Sequence, residues 1–286
     1  MFLPARDYDL AATLSSGQAF RWRERDGAWE GIIGTRWVRL RAREDGIDAV
    51  TASPVADWNW LAHFLQTEID LAAVVTTFPQ DDALQTAVNE CRGLRLLRQD
   101  PWECLASFIL SSTKQIVQIQ QIVGLLCERF GEPVASPNGE MAARSFPTAP
   151  QIAARTEEEL RACKAGFRAP YLLQSARMVA SQKVDLEAVR GLSLVNARET
   201  LMTLPGVGRK IADCVLLFAY GFPTAFPVDV WVLKALRELY FPRRRVKRDR
   251  LLRFTETYFG PHAGYAQQYL FHYMRTRKQP RGGRSR

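Results

Sequence analysis

Cysteine and histidine are sparse in this chain, and neither is grouped. Five cysteines (Cys91, Cys104, Cys127, Cys163, Cys214) are scattered through 286 residues without a C-x-x-C pair. That pattern excludes a disulfide framework, a zinc site and an iron–sulfur cluster. The three histidines (His63, His262, His272) share no metal-ligand spacing. No metal and no cofactor is therefore expected, and the chemistry falls to protein side chains. No apolar run approaches the roughly 20 residues of a membrane span. The opening stretch MFLPARDYDLAATLSSGQAF lacks a basic segment leading into an apolar one, so it reads as a mature intracellular start without a signal peptide.

Carboxylates are scarce at the C-terminal end. From Phe241 to Arg286, 13 Lys+Arg stand against 2 Asp+Glu, a net +11, while the remaining residues carry 26 against 28. The excess behind the overall +9 thus lies in PRRRVKRDRLLR and RTRKQPRGGRSR. A concentrated basic surface implies a polyanionic partner, nucleic acid first among them. The plainer alternative, a solvated helix face and a disordered tail, fits RKQPRGGRSR, which has no apolar residue.

Residues 20 to 51 alternate in the manner of strands around Asp26-Gly27 and Asp45-Gly46, both hairpin dipeptides. Trp37, Arg39 and Arg41 alternate with Val38 and Leu40, as in a strand with one buried face. Beyond about residue 85 the pattern is helical. Pro101 opens one helix and Gly131 closes another. Thr156 with Glu159, and Asn196 with Glu199, form capping boxes. There is no internal repeat. The expected fold is α+β: an N-terminal antiparallel β-rich domain (1–88), an all-α domain (89–276) and a basic, disordered tail (277–286).

Within the helical part, ARETLMT-LPGVG-RKIADCVLLFAY reads as helix, tight turn, helix. Gly206 and Gly208, flanking Val207, permit a tight turn and a close backbone approach. The free amides there, together with the positive helix end, suit a phosphate without regard to sequence. Lys210 follows in the first helical turn, where that positive end and neighbouring Arg209 disfavour its proton. A nucleophilic amine requires the free base. Asp229, after Pro227, is a plain N-cap for VWVLKALREL. Near Lys210 it would also accept protons and stabilise a positively charged sugar.

These residues resemble the helix-hairpin-helix DNA glycosylases, whose signature LPGVGRKIADC…FPVDV matches. More narrowly they resemble the 8-oxoguanine DNA glycosylase branch, through SSGQAFRW (15–22), DPWECLASFILSS (100–112), GFRAPYL (166–172) and GPHAGYAQQYLF (260–271). The resemblance implies that the β-rich domain is TBP-like and that the helical domain carries a bifunctional glycosylase and lyase. It implies a monomer acting on double-stranded DNA that contains oxidised purines, with the damaged base flipped out of the helix. Lys210 would attack the sugar to give a Schiff base, and Asp229 would assist. The Gly17 carbonyl would accept the N7 hydrogen that marks 8-oxoguanine. Cys214 and Phe271 would sandwich the purine, and Gln267 would bond its Watson–Crick edge. On residue type alone Gln267 and Phe271 read as half-buried helix packing. Gly206, Val207 and Gly208 would hold a phosphate. Lys114, Arg177 and the arginines of 243–253 are further phosphate candidates on charge alone.

Four positions depart from the family pattern. Thr113 stands where family members often have asparagine, Gln118 where they have arginine, Phe167 where they have tyrosine, and Trp231 where they have histidine. Arg168, a reader of the opposite base, is retained. The departures spare the lysine–aspartate pair but weaken selection for cytosine opposite the lesion. Two alternatives use fewer of these residues. A monofunctional alkylbase glycosylase needs Asp229 but not Lys210. A non-catalytic helix-hairpin-helix DNA-binding module leaves Asp229, Gln267 and SSGQAFRW without a role.

Overall fold

The computed structural model describes residues 1–137, 144–242 and 245–277. Residues 278–286 of the expected tail, and Arg243 and Arg244, lie outside the described residues. Five strands, β1 (Phe2–Pro4), β2 (Arg23–Arg25), β3 (Ala28–Ile33), β4 (Arg36–Arg43) and β5 (Gly46–Thr51), form one antiparallel sheet in the order β1-β5-β4-β3-β2. The β2–β3 turn is Asp26-Gly27, with positive φ at both residues (51° and 68°), as a two-residue hairpin requires. The β4–β5 turn sits one residue earlier than its dipeptide suggests. Arg43 pairs with Gly46, so Glu44 and Asp45 turn the chain and Gly46 lies in the strand. A Cβ at Gly46 would lie 2.3 Å from the Leu3 carbonyl oxygen, which explains the glycine.

One face of the sheet is apolar and packs on the helices α1 (Leu10–Ser15) and α2 (Asn59–Leu65), burying Leu14, Trp22, Val38, Leu40, Ile47 and Leu61. The second core is helical. Its elements are α3 (Leu71–Thr76), α4 (Asp82–Glu90), α5 (Pro101–Leu110), α6 (Ile116–Phe130), α7 (Ala149–Ala153), α8 (Glu157–Ala162), α9 (Ala169–Ala180), α10 (Leu194–Met202), α11 (Arg209–Val215), α12 (Val230–Ala235), α13 (Arg248–Tyr258) and α14 (Ala263–Thr276). The Thr156–Glu159 box caps α8 as its spacing predicts. The Asn196–Glu199 box does not form. Ser193 caps α10 instead and accepts from the Asn196 amide, so the helix begins earlier. Wider turns of π type extend α11 and α12 over Leu216–Tyr220 and Leu236–Tyr240. No helix among the described residues is long and apolar enough to cross a membrane.

Gln18, fully buried, staples the loop 15–18 to the segment 95–99. Its Nε2 donates to the carbonyls of Thr13 (3.0 Å) and Arg95 (2.8 Å) and to Ser16 Oγ (3.1 Å), and its Oε1 accepts from the Leu97 amide (2.8 Å). The Gln18 carbonyl in turn accepts from Gln99 Nε2 at 2.7 Å. From the other side α14 grips the same loop, through Gln268 to the Ser16 carbonyl (3.2 Å) and Arg275 to the Ser15 carbonyl (2.9 Å). Gln18→Ala strands buried donors and acceptors and should destabilise the fold by about 2–4 kcal/mol. The expected readout is a lower urea midpoint at unchanged m-value; a parental midpoint would deny Gln18 this role.

Candidate active site

The hairpin joins α10 to α11 through Thr203–Gly208. Gly206 is left-handed (φ +77°), and a Cβ there would meet Tyr171 Cβ at 2.8 Å, so both conformation and space demand glycine. Gly208 caps α11 in an extended conformation and has open space in front of it. Val207 between them is buried and anchors the turn in the core, while Ser175 Oγ donates to the Pro205 carbonyl at 3.1 Å.

Lys210 lies in the first turn of α11. Its Nζ stands 5.0 Å from the ring centroid of Phe108 on α5. Cys214 lies one turn further on, and burial, opposed by the charge of Lys210, pushes its thiol up to about 12. Cys214 is therefore a neutral, apolar wall at physiological pH and not a competing nucleophile. Asp229 caps α12, its carboxylate accepting the Val232 amide at 2.8 Å. Burial pushes the Asp229 carboxyl above the ordinary carboxylate range, against the pull of the Val232 amide and the charge of Lys210. Lysine, thiol and carboxylate are thus near enough to act on one another's charge, with Lys210 and Cys214 on α11 and Asp229 at the cap of α12.

Arg209 does not reinforce the positive field at Lys210. It pairs with Asp213 (3.6 Å) and Glu256 (2.6 Å), and buried Asp213 also holds Arg198 at 2.7 Å. No spacing rule reveals that pairing, because Glu256 lies on α13.

The second group of expected residues lies on α14 and on the loop that α14 grips. Gln267 and Phe271 share one face of α14, which packs on α12. Gln267 is 3% exposed, and its Oε1 is buried with no hydrogen-bond partner. A buried carbonyl without a donor costs stability and marks a place where a ligand N–H belongs. Gly17 is left-handed (φ +79°), and a Cβ there would sit 2.8 Å from Ile116 Cδ1 and 3.5 Å from Phe271 Cε1. The Gly17 backbone is therefore pressed against Ile116, with the Phe271 ring close by.

The remaining expected residues form a third group. Thr113, exposed and left-handed (φ 58°), is held by buried Arg168, whose Nη2 donates to Thr113 Oγ1 at 2.7 Å. The Arg168 guanidinium also donates to the carbonyls of Ser112 and Ala165 and lies 4.1 Å from the Phe167 ring centroid. Phe167 itself is 55% exposed. Exposed Gln118 accepts from the Gln115 amide at 3.1 Å and so helps start α6. Half-buried Trp231 carries Lys234 over its ring at 5.6 Å. Phe108, Gln18 and Ser112 were not singled out from sequence, although all three lie inside the quoted stretches SSGQAFRW and DPWECLASFILSS. No cluster of metal-ligating side chains exists among the described residues.

A glycine hairpin feeding a lysine, an aspartate capping the next long helix and a β-rich domain in front define a helix-hairpin-helix protein of the DNA glycosylase class. Residues 1–105 match the 8-oxoguanine DNA glycosylase N-terminal domain, and residues 106–259 match the HhH-GPD superfamily of base excision DNA repair proteins. A Methanothermobacter thermautotrophicus protein named "Probable N-glycosylase/DNA lyase" is 30% identical, over 96% of each chain. An N-glycosylase/DNA lyase of Arabidopsis thaliana is 31% identical over 92% of this chain and 76% of its own. The 8-oxoguanine glycosylase/lyase of Clostridium acetobutylicum, solved with double-stranded DNA containing cytosine opposite 8-oxoguanine, superposes with a TM-score of 0.89 at 30% identity, over 96% of this chain and 97% of its own. The chain belongs to the 8-oxoguanine DNA glycosylase family of the HhH-GPD superfamily.

In the roles expected of it, accepting a proton or facing a cationic sugar, Asp229 must be ionised. Because its carboxyl titrates above the ordinary range, near pH 4, activity should fall as pH drops through that raised midpoint. Removing the opposing ammonium with Lys210→Gln should raise the midpoint further. Carbon-13 NMR titration of the Asp229 carboxyl in both proteins checks the order; a midpoint at or below the ordinary value, or a downward move in Lys210→Gln, contradicts it.

Proposed function

We propose that this protein excises 8-oxoguanine from duplex DNA and then nicks the abasic strand, acting as a monomer inside the cell. The reading rests on Lys210 in the first turn of α11 and Asp229 at the cap of α12, near enough for the lysine's charge to act on the carboxyl, and on the buried, unpartnered Gln267 carbonyl. The relatives named as N-glycosylase/DNA lyases, and the solved glycosylase/lyase bound to DNA, support it.

The flipped purine sits between Cys214 and Phe271. Gln267 Oε1 accepts a hydrogen from its Watson–Crick edge, which supplies the missing partner. The Gly17 carbonyl accepts the N7 hydrogen of 8-oxoguanine; guanine, with a bare N7, presents acceptor to acceptor and is rejected. The Asp229 carboxylate, while ionised, steadies the sugar as the C1′–N9 bond breaks and the base leaves with the electron pair, and it then takes the surplus proton of the Lys210 amine that adds to the sugar. Lys210 Nζ bonds to C1′ and the sugar opens to a Schiff base. Loss of a C2′ proton then expels the 3′ phosphate and breaks the strand. The hairpin amides around Gly206, Val207 and Gly208 hold a backbone phosphate, and Phe167, Thr113 and Trp231 face the duplex.

Incubation with a duplex bearing one 8-oxoguanine, in the presence of borohydride, should yield a covalent protein–DNA adduct. Lys210→Gln should abolish the adduct, and Asp229→Asn should slow excision by about 10²–10⁴-fold. Excision without any trapped adduct would instead favour the monofunctional reading.

Selection of the opposite base should be weak. Thr113 and Gln118 replace stronger readers, and the donors of Arg168 are spent on Ser112, Ala165 and Thr113. Single-turnover excision opposite C, A, G and T should agree within about tenfold, each lost base contact being worth about 1–3 kcal/mol of discrimination. A preference for C well beyond that range would contradict it.

A further inference from the structure

A groove of about 510 Å³ lies apart from the lysine–aspartate site, between α13 and the wide turn that ends α12. Tyr240, Phe241, Phe254 and Tyr258 form its aromatic wall, and Arg250, Arg253 and Thr257 line the rest. The rings are fixed in place. Phe254 stacks on Tyr258 with centroids 4.5 Å apart, Phe241 meets Phe254 edge-on at 5.1 Å, and both tyrosine hydroxyls donate to Asp81. Tyr258 is 36% exposed, so the wall remains open to solvent. The lining holds two cations and no carboxylate. Glu256, on the flank of α13, is engaged by Arg209 beside the catalytic lysine, which ties the groove's helix to the hairpin. Among the described residues neither Arg250 nor Arg253 makes an ion pair.

A rigid aromatic wall next to unpaired arginines matches a planar base joined to a phosphate. We propose that this groove is a nucleotide-binding site, distinct from the lesion pocket, in which the base lies against the Phe254–Tyr258 wall and the phosphate meets Arg250 and Arg253. It also gives a role to basic residues that the excision chemistry leaves unused, and it goes beyond the excision reading without depending on it. The ligand is either an unpaired nucleotide of a DNA strand or a free nucleotide.

Lesion-free DNA separates this site from excision. Fluorescence anisotropy compares a blunt duplex with the same duplex carrying a short single-stranded tail, and saturation-transfer NMR probes dAMP. The unmodified protein should bind the tailed duplex more tightly. The double variant Arg250→Ala/Arg253→Ala should lose about tenfold in affinity for the tailed form and less for the blunt form, the scale of one base–aromatic and phosphate contact. Phe254→Leu, checked for an intact melting transition, should do the same. Saturation transfer to dAMP that vanishes in the arginine variant, with no tail preference, assigns the site to free nucleotides. Equal weakening on both duplexes, or no weakening and no transfer to dAMP, overturns the proposal. Because no damaged base is present, a failure of excision leaves these outcomes unaffected.

Discussion

The site depends on keeping a carboxylate charged where the protein would rather have it neutral. Burial drives Asp229 toward its protonated form, and the Val232 amide, the charge of Lys210 and the neighbouring backbone amides hold it back. A carboxylate more basic than usual is a better acceptor for a lysine proton, and in the proposed excision it faces the sugar cation before it takes that proton. Because this balance sets Lys210 of α11 against the cap of α12, the placement of those two helices is a precondition for it.

A second constraint governs the opposite wall. In loop 15–18 the Ser16 and Gln18 side chains are buried and engaged, and the recognition element proposed for it is main chain. That main chain is held from one side by the hydrogen bonds of Gln18 and from the other by Gln268 and Arg275 of α14. The helix that presents Gln267 and Phe271 is also the helix that fixes Gly17. The loop and the helix proposed to recognise the base are thereby tied directly to each other.

Much of this was legible in the sequence because it depends on local rules. The hairpin needs glycine at a left-handed position, Asp26-Gly27 turns a strand pair, and Thr156 with Glu159 caps a helix. The residues that were less legible act across long sequence separations. Gln18 reaches residues 95–99, Arg209 reaches Glu256, and Arg168 is caged by Ser112 and Thr113. The Asn196–Glu199 box failed because Ser193, a better cap, lies three residues upstream. The wide turns after α11 and α12 carry no pattern that periodicity detects.

The thiols bear on the conditions under which this protein works. All five cysteines are buried, and burial pushes each of them upward, Cys91, Cys127 and Cys214 to about 12. Peroxide attacks the thiolate, and a thiol held that far above neutrality offers almost none. Oxidants that act through the thiolate therefore find little of it in the five buried cysteines, Cys214 near Lys210 included.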